Sequence, residues 1–505
     1  MSRKALPMKG ESRMASPHRS LPLHSPLSPQ DRERVRINGT TIGFVNLGCS
    51  KNQVDSEVML GTLASEGFEL TGNAQDAQVV IINTCGFIEE AKQESINSII
   101  EHGLLKKTGA CRVLIAAGCL AQRYQGELLQ ELPELDGVVG TAEFGRIAEI
   151  CRALLNPKKT RQKRLWIGQP PYLYDEATPR IRMGSPHSAY LKIAEGCNRN
   201  CAFCAIPIMR GKQRSRPVES IVAEAERLTR EGVKELNLIS QDTINYGVDL
   251  GLRHGLAQLL RALVKIDGLR WIRPFYLYPQ QITDDLLDLY AGEERITQYI
   301  DMPLQHISDP VLKRMHRLGD RQYLTSLVDR IRRKIPEVFF RTAFIVGFPG
   351  ETDDDYEQLR EFMRDMAFDR AAVFLYSDEE DTAAVGFQDK VERAVMEDRR
   401  NELLSMQEAI STAKNRNYLG RTLEVLVDGP SEDSETLLEA RHQRLAPEID
   451  GTVYLDRTAG LPGQFVKARI TDVAGYDLIG STADAVTTSD PPKLLTPQKT
   501  APGYR

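Results

Sequence analysis

Apolar residues along this chain fall into two alternating patterns. Short compact runs at residues 41–46, 78–83 and 112–117 read as strands, because runs of that length suit a buried strand better than a helix. Between them, at 53–66 and 89–101, apolar positions recur every three to four residues, the spacing of a helix with one buried face. This alternation over residues 40–155 predicts an α/β domain built on a parallel sheet. It returns over 186–412, where six strand-like runs, at 190–194, 235–239, 274–278, 299–302, 341–346 and 371–376, are each followed by a helical segment. The helices are expected at 217–230, 255–266, 284–290, 322–334, 353–366 and 391–410, with Thr352 and Asp355 at the spacing of a capping box. Six βα units in succession predict an incomplete (βα)6 TIM-like barrel. From 413 to 482 the helical period disappears. Runs at 421–428, 451–455 and 464–472, broken by Gly and Pro, predict a small antiparallel β-barrel. Residues 156–185 carry a basic run (Lys158, Lys159, Arg161, Lys163, Arg164) followed by prolines, and read as a solvated linker. Residues 1–39 and 483–505 are polar, Pro-rich and aperiodic, and read as disordered tails.

Composition narrows the class. With 505 residues, 41% hydrophobic and 27% charged, the chain suits about three soluble domains. A net charge of −5 carries no global nucleic-acid signature. No apolar run approaches the roughly 18 residues of a membrane span. Eight cysteines in so long a chain do not make a disulfide scaffold; clustered as they are, they read as metal ligands in a reducing cytoplasm.

The chemistry starts at Cys197, Cys201 and Cys204, spaced C-x₃-C-x₂-C just after the first central strand. Three thiolates so close can ligate three irons of a [4Fe-4S] cluster and leave the fourth open for chemistry. A zinc site with its fourth ligand elsewhere is the competing reading. The motif lies at the carboxyl end of a barrel strand, where barrel active sites are built. Three more cysteines, Cys49, Cys85 and Cys119, each follow a strand of the first domain, with Gly48, Gly86 and Gly118 beside them. Parallel strands bring their carboxyl ends to one sheet edge, so these thiols should meet and hold a second cluster; buried core cysteines are the alternative. Cys111 and Cys151 do not share that position and read as structural. Other barrel strand ends carry candidate cofactor contacts: Ser240, Gln241 and Asp242 after the second, Gln305 and His306 after the fourth, Gly347 after the fifth. His306 and His316 read as hydrogen-bonding residues, not ligands.

The C-x₃-C-x₂-C spacing resembles the radical S-adenosylmethionine enzymes, in which the open iron chelates S-adenosylmethionine and an aromatic residue stands where Phe203 does. Those barrel strand ends then correspond to the ones that hold the cofactor. Asn417 to Thr422 with Gly463 to Val466 resembles the TRAM module. The order of the three domains resembles the methylthiotransferase family over residues 41–480. Asn83-Thr84-Cys85-Gly86, Tyr276-Leu277-Tyr278-Pro279 and Asp301-Met302-Pro303-Leu304-Gln305-His306 resemble the branch that modifies small-subunit ribosomal protein twelve. The resemblance implies two [4Fe-4S] clusters, S-adenosylmethionine, an electron donor protein, and a methylthio group added to the β-carbon of an aspartate. Residues 415–480 hold seven basic and eleven acidic residues, a net −4, which suits a basic protein substrate better than a phosphate backbone. RNA contact is then expected only through the ribosome, and a cytoplasmic monomer without membrane contact is expected. The alternatives are a tRNA adenosine methylthiotransferase and a non-catalytic iron–sulfur carrier.

Overall fold

The computed structural model describes residues 23–24, 39–156, 164–432 and 434–482. Its first unit is a six-stranded sheet, in spatial order Glu69–Thr71, Thr41–Asn46, Val79–Thr84, Val113–Gly118, Gly137–Val139 and Leu165–Trp166. Every pairing is parallel. The central strands Val79–Thr84 and Val113–Gly118 are buried at every position. A parallel sheet covered on both faces requires this, and it explains their unbroken apolar sequences. Helices Ser50–Ser65 and Ile147–Leu155 cover one face and helix Glu89–Gly103 the other.

Strands Glu69–Thr71, Gly137–Val139 and Leu165–Trp166 are absent from the sequence reading, being too short to form a run. The last corrects the linker. From Leu165 onward this segment is not a solvated connector: Trp166, Arg180 and Ile181 are buried. Arg180 joins Glu57 of the first unit (2.7 Å) to Glu224 of the second (2.8 Å). Residues 157–163 of the basic run lie outside the described residues. The tail reading is also corrected at Leu23–His24, which pair antiparallel with Arg182–Met183. Residues 1–22, 25–38 and 483–505 lie outside the described residues.

The barrel of the second unit is built from two parallel sheets of three strands, with a short antiparallel pair, Ala194–Glu195 and Arg214–Ser215, beside it. One contains Ser188–Lys192, Glu235–Ile239 and Trp271–Pro274; the other contains Tyr299–Asp301, Phe339–Val346 and Arg370–Leu375. They meet through an isolated parallel bridge between Ile272 and Ile296, and Leu277 N–H donates to Asp301 O at 2.8 Å. The third strand ends at Pro274, where the expected run 274–278 begins. The Phe275 N–H still donates to Leu238 O (3.0 Å). Beyond it Tyr276 turns at φ +58°, so Phe275, Leu277 and Tyr278 stay buried but outside the sheet.

The third unit is a closed five-stranded barrel of Thr422–Pro430, Leu437–His442, Val453–Asp456, Asp477–Thr482 and Phe465–Ala474. Four pairings are antiparallel, and Val453–Asp456 runs parallel to Asp477–Thr482. It covers the amino ends of the central strands. Glu235, first in its strand, accepts from Arg441 (2.8 Å), and the Tyr299 hydroxyl donates to Asp450 (2.7 Å). One apolar cluster contains residues of all three units, among them Val58, Phe275, Tyr299 and Val425. Among the described residues no helix is long and apolar enough to cross a membrane.

Candidate functional site: two thiol triads across a domain joint

Cys49, Cys85 and Cys119 follow three adjacent strands of the first sheet, at its carboxyl edge. Their thiols feel one another. Burial pushes Cys85 up to about 12, and the Cys119 and Cys49 thiols add to it. Burial lifts Cys119 to about 11, opposed by the Arg210 guanidinium and reinforced by Cys49. Two glycines permit this approach. Gly48 (φ +89°) would place a Cβ 2.9 Å from the Cys85 Cβ, and Gly118 (φ +98°) would place one 2.3 Å from Asn83 Oδ1.

Cys197, Cys201 and Cys204 lie in irregular backbone after strand Ser188–Lys192 and the pair Ala194–Glu195. Burial raises Cys197 to about 11, with Asp242 and Cys201 adding. Burial raises Cys204 to about 12, with Cys201 and Cys197 adding. The Arg199 backbone N–H donates to Cys197 Sγ (3.4 Å) and Arg317 Nη1 to Cys201 Sγ (3.7 Å). Both guanidinium groups lie over the Tyr278 ring, at 3.9 and 4.0 Å from its centre. Among the described residues no three His, Cys, Asp or Glu side chains converge tightly enough to hold a single ion. A cluster does not need ligands that converge on one ion, because each thiolate ligates its own iron.

The other candidates are distributed around the same rim. Phe203 packs edge-on against Phe348, ring centres 6.4 Å apart. Asp242 accepts from Arg199 Nε (2.6 Å) and Gln241 donates to Glu195 (2.6 Å). The Ser240 hydroxyl is engaged by Thr243 (3.0 Å). Gln305 bridges to Phe344 at φ +76°, and the Gly347 N–H donates to Glu351 (2.8 Å). His306 is buried and accepts from the Ser308 N–H (3.0 Å); His316 Nδ1 lies 3.2 Å from Asn200 O. Three buried polar atoms of this region lack a hydrogen-bond partner, Arg199 Nη2, Gln241 Oε1 and Asp242 Oδ1, whereas His306 Nε2 faces Glu351 at 3.6 Å. Buried polar groups are normally satisfied, so these fit a polar ligand carrying both donors and acceptors. Cys111 and Cys151 are buried in the two apolar clusters flanking the first sheet.

Residues 41–140 match Uncharacterized protein family UPF0004, residues 191–363 the Radical SAM superfamily, and residues 419–482 the TRAM domain. The ribosomal protein uS12 methylthiotransferase RimO of Myxococcus xanthus is 47% identical, over 86% of this chain and 90% of its own length. RimO of Pelobacter propionicus is 48% identical over 87% and 97%, and RimO of Geobacter sulfurreducens 47% over 87% and 98%. The chain belongs to the uS12 methylthiotransferase family.

In this member of the family, a buried ion network that sequence reasoning missed spans the gap between the triads. Arg210, 2% exposed, donates from Nε to Cys119 Sγ (3.2 Å), from Nη1 to Asp55 (2.6 Å) and Glu195 (3.1 Å), and from Nη2 to Asn52 Oδ1 (2.5 Å). Lys192 completes it, bonded to Asp55 and to Glu195 (2.7 Å). Asn52 donates to Leu47 O (2.9 Å) and Thr84 O (3.0 Å), close to the cysteines of two strands. Glu195 immediately precedes Gly196 and Cys197. The network therefore runs from a cysteine of the first triad to the residue two before the second. A signal existed for Lys192 and Glu195: charges beside Leu191, Ile193 and Ala194 in an apolar strand need buried partners.

Proposed function

We propose that the chain adds a methylthio group to the β-carbon of an aspartate of ribosomal protein uS12, with Cys197, Cys201 and Cys204 holding one [4Fe-4S] cluster and Cys49, Cys85 and Cys119 a second. The observation that carries this reading is the pairing of two three-thiol sites across one buried joint. When bound, the first cluster would supply the electron that cleaves S-adenosylmethionine and the second would carry the sulfur to be transferred. A carbon-bound β-hydrogen is not acidic, so the protein contributes placement and exclusion of water. Arg199, held by Asp242 and stacked on Tyr278, presents Nη2 to a carboxylate, while Asp242 Oδ1 and Gln241 Oε1 accept from an amine or hydroxyls. Arg317 does not need to move to act on the triad: Pro303 O (2.6 Å) and the Tyr278 face hold it against Cys201. The proposal includes an external electron donor protein and a monomeric chain.

Paired mass analysis of cells with and without this chain tests the substrate. A methylthio increment on an aspartyl peptide of uS12, dependent on the chain, is expected. The same increment on a tRNA adenosine instead would leave the chemistry standing and overturn the substrate. The Cys49, Cys85, Cys119→Ala variant should still cleave S-adenosylmethionine but transfer no sulfur, whereas the Cys197, Cys201, Cys204→Ala variant should do neither.

A further inference from the structure

We propose that Arg210 is a positioning residue that sets the reduction potential of the cluster held by Cys49, Cys85 and Cys119; this rests on the reading of that triad as a cluster site. Arg210 comes from the central barrel, on the short helix Ile206–Arg210 that follows the other triad. It reaches across the joint into the first domain. Its Nε–H points at a ligand sulfur, Cys119 Sγ, at 3.2 Å. Its electrostatic field also reaches the Cys49 and Cys85 thiols. One-electron reduction adds negative charge to a cluster and its sulfurs. A fixed cation and an N–H···S hydrogen bond, both shielded from water, favour the reduced form. Removing them lowers the potential.

Asp55 supplies the opposite sign. It lies on the far edge of the same guanidinium, 2.6 Å from Nη1, and adds a negative charge behind the cation. The four charged groups of the network, Arg210 and Lys192 against Asp55 and Glu195, sum to zero. Neutralising Arg210 alone strands a buried carboxylate. Neutralising Arg210 and Asp55 together keeps the balance while still removing the hydrogen bond to sulfur. The network therefore makes a signed prediction: loss of Arg210 and loss of Asp55 shift the potential in opposite directions. A residue that merely braced the fold would not do this.

The experiment is an EPR-monitored titration with dithionite on the reconstituted full chain, in a Cys197, Cys201, Cys204→Ala background that retains one triad. Iron and sulfide are counted first. Arg210→Gln and the double variant Arg210→Gln/Asp55→Asn are expected to retain the parent's iron and to titrate at lower potential. Asp55→Asn is expected to titrate at higher potential, and Arg210→Lys to move back toward the parent. An unchanged midpoint in the fully loaded double variant overturns the proposal. Shifts of the same sign in Arg210→Gln and Asp55→Asn overturn it as well. Should Arg210→Gln variants fail to load iron, an unchanged or lower midpoint for Asp55→Asn overturns it. If the parent background itself binds no iron, the cluster reading of Cys49, Cys85 and Cys119 fails, and this inference falls with it.

Discussion

Gly118 shows how narrowly single residues constrain this site. It sits at φ +98° directly before Cys119, and a Cβ there would meet Asn83 Oδ1 at 2.3 Å and Thr84 O at 2.7 Å. Asn83 cannot yield easily, because its Nδ2 is bonded to Asn52 O (2.8 Å) and the Ser56 hydroxyl (2.9 Å). Gly118→Ala should therefore cost at least about 2 kcal/mol in chemical denaturation, from strain plus clash, and should lower iron content at the adjoining triad. Gly292, in a helix with nothing within 4 Å of its Cβ position, is the control, and Gly292→Ala should not destabilise the fold and should leave iron content unchanged. Equal behaviour of the two variants would contradict the geometry. At this scale the sequence was informative where residue type itself limits the chemistry: six cysteines at strand ends or at a tight spacing, with glycines beside them. Asn52, Asp55 and Arg210 were opaque, because polar residues on helices ordinarily face water. Their burial follows only from the second domain packing onto helix Ser50–Ser65, which leaves Asn52, Asp55 and Glu57 all under 5% exposed.

Helix Asp353–Met366 illustrates what is legible in an element. Its ends are the predicted ones, because the stop and start signals are local. Thr352 caps it by accepting from the Asp355 N–H, and Asp355 returns a bond to the Thr352 backbone N–H (2.9 Å). Thr352→Ala should cost about 1 kcal/mol. Asp355→Ala should cost more, since Asp355 also accepts from the buried Ser308 hydroxyl at the end of the fourth barrel unit. Denaturation curves giving the two variants equal cost would show that the Ser308 bond contributes nothing. Strands behave differently. Val79–Thr84 and Val113–Gly118 announce themselves because both faces are buried. Gly137–Val139 and Leu165–Trp166 exist through their pairing partners, not their own sequence. In the third barrel strand the apolar run continued past the sheet because Phe275, Leu277 and Tyr278 pack in the core as irregular backbone, a distinction periodicity does not carry.

The arrangement of whole domains changes how the acidic final barrel must be understood. It closes the amino ends of the central strands, whereas the Cys197 motif follows a carboxyl end, so it stands away from the triads. Several of its acids are engaged at the joint: Asp428 with Arg441 and His187, Asp450 with Tyr299, Glu424 with Arg270. The net −4 thus overstates the field this barrel presents to a partner. Its first task is structural, and Glu235 is the centre of that task. Glu235 accepts from Arg273 (2.8 Å) and from both terminal nitrogens of Arg441 (3.1 and 2.8 Å). Glu235→Gln leaves the buried Arg273 guanidinium without its charged partner and Arg441 with Asp428 alone, and should cost about 3–5 kcal/mol.

The same joint makes the molecule acid-sensitive in a defined window. His442 is buried beside Arg444, Arg273 and Arg441, and burial together with these cations pushes its pKa from the ordinary 6.5 down to about 3. The folded protein keeps it neutral while the unfolded chain protonates it. Its contribution is fully present above pH 6.5 and is lost as pH falls from there toward 3, at about 1.4 kcal/mol per pH unit. Burial opposes ionisation of Glu235, yet Arg441 and Arg273 pull it from 4.5 to about 2, so its contribution is lost only as pH falls below 4.5. Between pH 6.5 and 5 the histidine acts and the glutamate does not. Over that interval the wild type should lose about 2 kcal/mol through His442, measured by denaturant unfolding at fixed ionic strength. His442→Gln should be less stable at pH 7, having lost the acceptor for the Arg444 N–H, but its stability should fall less steeply by that amount over the same interval. Parallel curves for the two proteins would mean that His442 does not control the joint, and that the acid lability of the chain arises at another group.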